Sequence, residues 1–213
     1  MKVWTFVLFL LVASITHLVM GQSASFSWNQ IVDDNTKALD IASTSATGCT
    51  THYRIWNNYQ LVDLCKQSEA VVTGEVINFV TRFYRRWGKE RQKLLSERSD
   101  IPHATAHALF DELQMELIES LPDDSAIEDY PRGLDGQTFI FEIGRPDSYR
   151  VYAYWEPLND NYVDGSIKEV HHVRNILGTL NEQLQLRQSF TQFRDKLPKG
   201  KYSLGGSLFL IVK

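Results

Sequence analysis

The sequence predicts an α+β fold in which a small antiparallel sheet, made of one hairpin and a C-terminal strand, is packed by several helices on one side. Apolar residues recur at helical spacing over 104–121 and 170–190. Strand-like runs lie at 138–143 and 149–155, separated by a turn-forming Gly-Arg-Pro-Asp-Ser segment, and a further strand-like run lies at 207–212. Helices followed by a hairpin, another helix and a last strand are typical of the α+β class.

Residues 1–21 have the pattern of a secretory signal peptide. Lys2 gives a positive start, an apolar stretch continues to Met20, and Gly21 is the small residue that a signal peptidase requires. We expect cleavage after Gly21, which leaves one globular domain over 22–213 in an extracellular or periplasmic location. The alternative is an uncleaved membrane anchor, because the stretch approaches the ~20 apolar residues of a spanning helix.

The charge balance restricts the class of partner. The formal net charge is −4 and becomes about −5 once Lys2 is removed. An acidic chain is a poor general nucleic-acid binder, since phosphate contacts need an excess of Lys and Arg. No second apolar run is long enough to span a bilayer. We therefore expect neither nucleic acid nor, after cleavage, a membrane as partner, and instead an extracellular protein or a carbohydrate ligand.

The two cysteines predict one disulfide. Cys49 and Cys65 are an even pair at close spacing, as expected of a chain in an oxidising compartment. On the chain-entropy account, closing this loop is worth roughly 3 kcal/mol. A lone pair is too sparse for a zinc site, and the remaining alternative is two free buried thiols.

Three segments before the hairpin are predicted as helices. Residues 28–41 fit a short helix, and residues 53–66 carry apolar side chains spaced by three or four. Residues 104–121 form the clearest helix, because Leu residues line one face and Pro102 and Pro122 stand just outside its ends.

Residues 70–97 fit two patterns. Apolar residues from Val72 to Trp87 share one helical stripe, yet the segment is rich in β-branched and aromatic residues and also shows alternation from Ile77 to Phe83. The length of the segment and its charged end favour a helix.

A basic segment stands out in this acidic chain. Arg85, Arg86 and Lys89 are its centre and are candidate binding residues. Its full set of cations is Arg82, Arg85, Arg86, Lys89, Arg91, Lys93 and Arg98. The simpler interpretation is the solvated face of a helix.

The second strand of the predicted hairpin offers another candidate surface. Arg150, Tyr152 and Tyr154 share one face of that strand. If no helix covers them, they form an aromatic platform with a cation beside it, suited to stacking a sugar or anchoring a partner. The alternative is that a helix packs over this face.

His103, His107 and Asp111 are the candidate metal ligands. Spacings of four residues place them roughly on one helical face, and two imidazoles with a carboxylate suit zinc. His171 or His172 could add a ligand. The general-base Glu of His-x-x-x-His metalloprotease helices is missing, and a polar helix face explains the trio equally well. We expect no cofactor other than a possible zinc ion at this trio.

No motif identifies a catalytic residue. The sequence therefore predicts a secreted binding or interaction protein without catalytic activity, acting through the Arg150 face or the basic segment. The alternative is a metal-dependent hydrolase at His103, His107 and Asp111. A third hypothesis is an accessory subunit whose basic segment meets an acidic partner, with binding that weakens as salt rises.

Overall fold

The computed structural model describes residues 27–133, 135–204 and 207–211. The predicted signal peptide, 1–21, lies outside the described residues. Within these ranges no helix has the length and apolar character needed to cross a membrane. The strands are β1 (Thr51–Trp56), β2 (Gln60–Ser68), β3 (Val71–Arg86), β4 (Lys89–Asp100), β5 (Thr138–Gly144), β6 (Tyr149–Trp155), β7 (Gly200–Leu204) and β8 (Ser207–Ile211). The helices are α1 (Trp28–Ala38), α2 (His103–Met115), α3 (Lys168–Leu184) and α4 (Leu186–Lys196), with short 3₁₀ turns at Thr44–Ala46 and Asp124–Ala126.

All eight strands form one antiparallel sheet. Its order is β6-β5-β1-β2-β3-β7-β8, and β4 pairs with β3 on the other side. The long strand β3 makes this branching possible. It pairs with β2 from Val71 to Asn78 and with β7 from Thr81 to Phe83, while β4 accompanies it from Glu75 to Arg86.

The predicted fold class is therefore wrong in the size of its sheet, although the chain does combine helices with antiparallel strands. The hairpin and the C-terminal strand are only part of an eight-stranded sheet. The predicted helix over 53–66 is the β1–β2 hairpin, and the helix favoured over 70–97 is the β3–β4 hairpin. The turn in the first hairpin is held by Asn57, whose side-chain oxygen accepts hydrogen bonds from the backbone N–H groups of Tyr59 and Gln60.

Helices cover both faces of the sheet, rather than one. On one face, α2 and α3 pack against the apolar residues of β1, β2, β5 and β6, and Tyr53 stacks on Phe110 of α2 with ring centroids 4.4 Å apart. On the opposite face, α1 packs through Val32 against Trp56 and Ile77. Burial on both faces explains why the central strands lack a clean alternation of polar and apolar residues.

Other predictions are confirmed. Cys49 and Cys65 form a disulfide, with Cα atoms 5.5 Å apart, that ties the start of β1 to β2. The predicted hairpin corresponds to β5 and β6, paired from Thr138↔Trp155 to Gly144↔Tyr149. A helix occupies most of the predicted 104–121 segment, although α2 ends at Met115.

Candidate functional site

The outer half of the β3–β4 hairpin projects from the sheet. Beyond Phe83, β3 has no partner other than β4 among the residues that the structure describes. Every residue from Tyr84 to Lys93 is exposed. The basic segment predicted from the sequence, apart from Arg82 and Arg98, is therefore the end of a two-stranded ribbon.

The strand register sorts the charges of this ribbon onto two faces. Residues directly opposite each other in an antiparallel pair point to the same side. Three cross-strand pairs share one face: Arg82↔Lys93, Tyr84↔Arg91 and Arg86↔Lys89. We call this surface the basic face, and it carries Arg82, Tyr84, Arg86, Lys89, Arg91 and Lys93.

The basic face holds five cations and no acid. Glu90, which is the sole acid between residues 82 and 93, lies on the opposite face and pairs with Arg85, with Arg85 Nη2 and Glu90 Oε1 3.9 Å apart. Within the described ranges, Arg86, Lys89, Arg91 and Lys93 form no ion pair. Two of the three cross-strand pairs join cation to cation, an arrangement that destabilises a hairpin. The fold thus keeps a concentrated positive field where alternating signs would be more stable.

The hairpin tip is strained in a way that points to function. Trp87 and Gly88 form a two-residue turn with φ of 51° and 74°. Such a turn favours Asn, Asp or Gly, and a bulky residue at positive φ is a genuine outlier. The Trp87 side chain is 87% exposed, so no packing explains it. Among the described residues, the Arg86 guanidinium lies over its ring, 4.5 Å from the centroid. Strain of this kind is typical of functional positions.

We expect Trp87→Asn to stabilise the protein by about 0.5–1 kcal/mol, because Asn tolerates positive φ and the lost exposed cation–π contact is worth less than the relieved strain. Denaturant unfolding measures the change. Gly88→Ala is the companion variant and should lose stability, since Ala resists a φ of 74°. A destabilised Trp87→Asn protein would contradict this account of the turn.

The sequence matches no protein-family model, and the comparison with curated proteins finds no relative.

The second candidate surface from the sequence is covered. Tyr152 and Tyr154 are 1% and 0% exposed and lie in the core beneath the helices. Tyr152 donates a hydrogen bond to the carbonyl of Ile118 at 2.6 Å, and Arg150 donates to the carbonyl of Glu119 at 2.7 Å. These side chains fasten β6 to the turn after α2, so they do not form the exposed aromatic platform.

The candidate metal ligands His103, His107 and Asp111 all lie on α2, and His107 contacts both Asp111 and a neighbouring carbonyl. His107 has Nε2 3.0 Å from the carbonyl of Glu69, and its Nδ1 lies 3.2 Å from Asp111 Oδ2. His172 meets α2 at its far end, where its Nδ1 lies 2.8 Å from Glu116 Oε2, so it does not join His103. Among the described residues, no group of three His, Cys, Asp or Glu side chains is placed to hold a metal.

A buried charge cluster, which the sequence did not predict, lies on the α1 face of the sheet. It consists of His52, Arg54, Asp63 and Glu142. Asp63 is directly opposite Arg54 in β2, and Glu142 is directly opposite it in β5. Arg54 Nε donates to Asp63 Oδ2 at 2.6 Å, and His52 Nε2 lies 2.5 Å from Asp63 Oδ1.

The pKa values of the two carboxyl groups in the cluster shift in opposite directions. Burial alone would raise the pKa of Asp63, but the hydrogen bond and charge of His52, with those of Arg54, lower it below its usual range. Burial raises the pKa of Glu142, and Arg54 offsets this only in part because its Nη1 is 3.8 Å from Glu142 Oε1. Arg54 Nη1 itself has no hydrogen-bond partner in the described part of the chain.

The contacts of this cluster are those of a structural clamp. Arg54 Nη2 donates to the carbonyl of Ala42 at 2.7 Å, and Arg98 Nη2 donates to the carbonyl of Leu39 at 2.9 Å. Both bonds hold the loop after α1 against the sheet. The ring nitrogens of His52 contact Asp63 and, at 3.1 Å, Thr47 Oγ1, whose hydroxyl donates to the carbonyl of Thr44 at 2.9 Å. The His52 side chain is 2% exposed, so these contacts are buried within the clamp. The basic face is therefore the better candidate for a functional site.

Proposed function

We propose that this chain is a secreted binding protein without catalytic activity that recognises an acidic extracellular partner through the basic face of the β3–β4 hairpin. The observation that carries the proposal is the sorting of five cations, with no acid, onto one face of the β3–β4 hairpin, four of them in its exposed outer half. The like-charge pairs cost stability, which an anionic partner would offset on binding. The disulfide is consistent with an oxidising compartment.

The basic face suits binding rather than chemistry. Four of its cations are exposed and Arg82 is half-buried, and none of the five has a described carboxylate or imidazole partner that would activate it. Cations in such an array raise the rate of encounter with an anionic surface, and their contribution falls as salt screens them. The overall acidity of the chain then limits binding to the ribbon and disfavours unspecific adhesion elsewhere.

The test is a variant in which four cations are replaced by neutral residues, compared with a control that loses the same charge elsewhere. The quadruple variant Arg86→Gln, Lys89→Gln, Arg91→Gln and Lys93→Gln removes the four outer cations of the basic face. The control removes four exposed cations elsewhere, through Lys37→Gln, Arg132→Gln, Lys168→Gln and Arg187→Gln. Both variants carry the same net charge, so any difference in binding reports position and not total charge.

We expect the natural sequence to bind immobilised heparin or polyglutamate at 0.15 M NaCl, and the quadruple variant to bind at least about 100-fold more weakly, at roughly 1 kcal/mol per cation near an anionic surface. The control should retain most of the affinity. Equal losses in the two variants, or no binding of either polymer by the natural sequence, would contradict the proposal.

A further inference from the structure

We infer that the partner of the basic face is a linear sulfated polysaccharide, an inference that rests on the proposed function. The first argument is the shape of the charge array. Three cross-strand pairs follow one another along the ribbon, from Arg82↔Lys93 to Arg86↔Lys89. At about 3.3 Å per residue the array is about 13 Å long, and it is one strand spacing of about 4.8 Å wide. A long, narrow strip of cations matches a chain with repeated anions better than a single anionic group.

The second argument is the chemistry of the cations. Three of the five are arginines, Arg82, Arg86 and Arg91. The planar guanidinium pairs with tetrahedral oxyanions through two parallel hydrogen bonds and is weakly hydrated. Sulfate esters present the same oxygen geometry as phosphate. Arg82 is the innermost cation and is anchored at the base of the strip, where its Nη2 donates to the carbonyl of Lys199 at 3.1 Å.

The third argument is the aromatic ring among these cations. Tyr84 lies in the middle cross-strand pair, opposite Arg91, and is 38% exposed. An aromatic ring flanked by cations can pack on the apolar face of a sugar ring while the cations meet its anionic substituents. The position of Tyr84 between two cation pairs fits a sugar with anions on both sides.

Other polyanions fit this surface less well. Single-stranded nucleic acid needs several aromatic rings on which successive bases stack, and the basic face has Tyr84 alone. An acidic protein would need several apolar anchors at the centre of its interface. Between residues 84 and 93 the exposed large hydrophobic side chains are Tyr84 and Trp87, and Trp87 lies at the tip, so Tyr84 is the single anchor on the basic face. A lipid surface would meet the tip, but the cations line the side of the ribbon and the Arg86 guanidinium already lies over the Trp87 ring.

The experiment compares probes of similar length and different chemistry on the protein from residue 22 onward. The probes are a heparin decasaccharide, the same saccharide after desulfation, polyglutamate, single-stranded DNA, and vesicles containing anionic lipid. Titration calorimetry at 0.15 M NaCl gives each dissociation constant. We expect the sulfated saccharide to bind at least about tenfold more tightly than every other probe, because it alone combines sulfates with sugar rings.

A second variant tests the role of the ring. We expect Tyr84→Ala to weaken heparin binding by about fivefold while leaving polyglutamate binding unchanged, since polyglutamate offers no sugar face to the ring. Tyr162→Ala removes another exposed tyrosine, 57% exposed and distant in sequence, as the control. Tighter binding of DNA or vesicles, or equal binding of all polyanions, overturns the polysaccharide but leaves the anionic-partner proposal standing. No binding of any probe overturns both.

Discussion

We expect Asp63→Asn to lower the free energy of unfolding by about 3–5 kcal/mol, because it leaves the buried Arg54 guanidinium without its nearest counterion. Asp63 bonds to His52 through one carboxylate oxygen and to Arg54 through the other. The Arg54 side chain is 2% exposed, so water cannot replace the lost charge. Denaturant unfolding at pH 7 measures the loss.

Asp100→Asn is the matched control. Asp100 is an exposed acid of β4, opposite Glu75, and it forms no described ion pair. Its substitution should change stability by no more than about 0.5 kcal/mol. If Asp63→Asn costs no more than this control, the cluster does not hold the loop after α1 against the sheet.

The pH dependence of the same variant has a definite sign. The folded pKa of Asp63 is lowered, so its contribution to stability is present above the unfolded value of about 3.9 and is lost as the pH falls through the lower folded value. The stability difference between the natural sequence and Asp63→Asn should therefore be greatest near neutral pH and shrink below about pH 4. A difference that stays constant from pH 7 to pH 3 would contradict this assignment.

The second large effect is expected from the disulfide. Replacing Cys49 and Cys65 together by Ser should cost about 3 kcal/mol, since the bridge closes a loop with a sequence separation of 16. The bridge also ties down the end of the loop that Arg54 clamps at Ala42. Denaturant unfolding, with and without a reducing agent, measures the loss.

The double Ser variant provides its own control. Reducing agent should destabilise the natural sequence by a similar amount and leave the variant unchanged. Because the bridge and the clamp hold the same loop, the variant should also be cleaved faster by protease between Leu39 and Cys49. Unchanged stability on reduction of the natural sequence would contradict the predicted contribution of the bridge.

The size of the sheet could not be predicted from the sequence because β3 satisfies two periodicities. Val72, Val76 and Val80 are four residues apart, which fits one face of a helix and equally one face of a strand. Phe79 belongs to the opposite face of β3, and burial on both faces removes the alternation that identifies a strand. The turn at Trp87 and Gly88 also lacks the Asn-Gly or Asp-Gly signal of a hairpin.

The sequence contains a turn signal from which the β1–β2 hairpin could have been predicted. Asn57 and Asn58 interrupt a run of aromatic and β-branched residues, as expected between two strands. With the strands assigned, Arg54 and Asp63 fall opposite each other, which would have exposed the buried cluster. The β5–β6 hairpin was predictable because Pro146 and its neighbours make an unmistakable turn.

Composition alone marks Arg85, Arg86 and Lys89 as candidate binding residues but does not give their geometry. The structure places all three at the end of a ribbon. The strand register then separates Arg85 from the other two, a division that a helix would not have produced. Which cations act together is therefore a property of the pairing of β3 with β4.

The most direct measurement of the central claim compares Arg85→Gln with Arg91→Gln in heparin binding at 0.15 M NaCl. Both variants remove one exposed arginine from the same hairpin, but Arg85 lies on the face with Glu90 and Arg91 lies on the basic face. We expect Arg91→Gln to weaken binding by about fivefold and Arg85→Gln by less than about twofold, since a face-specific ligand meets only one of them. Equal losses would show that the ribbon attracts polyanions by its charge alone and that the basic face is not the binding surface.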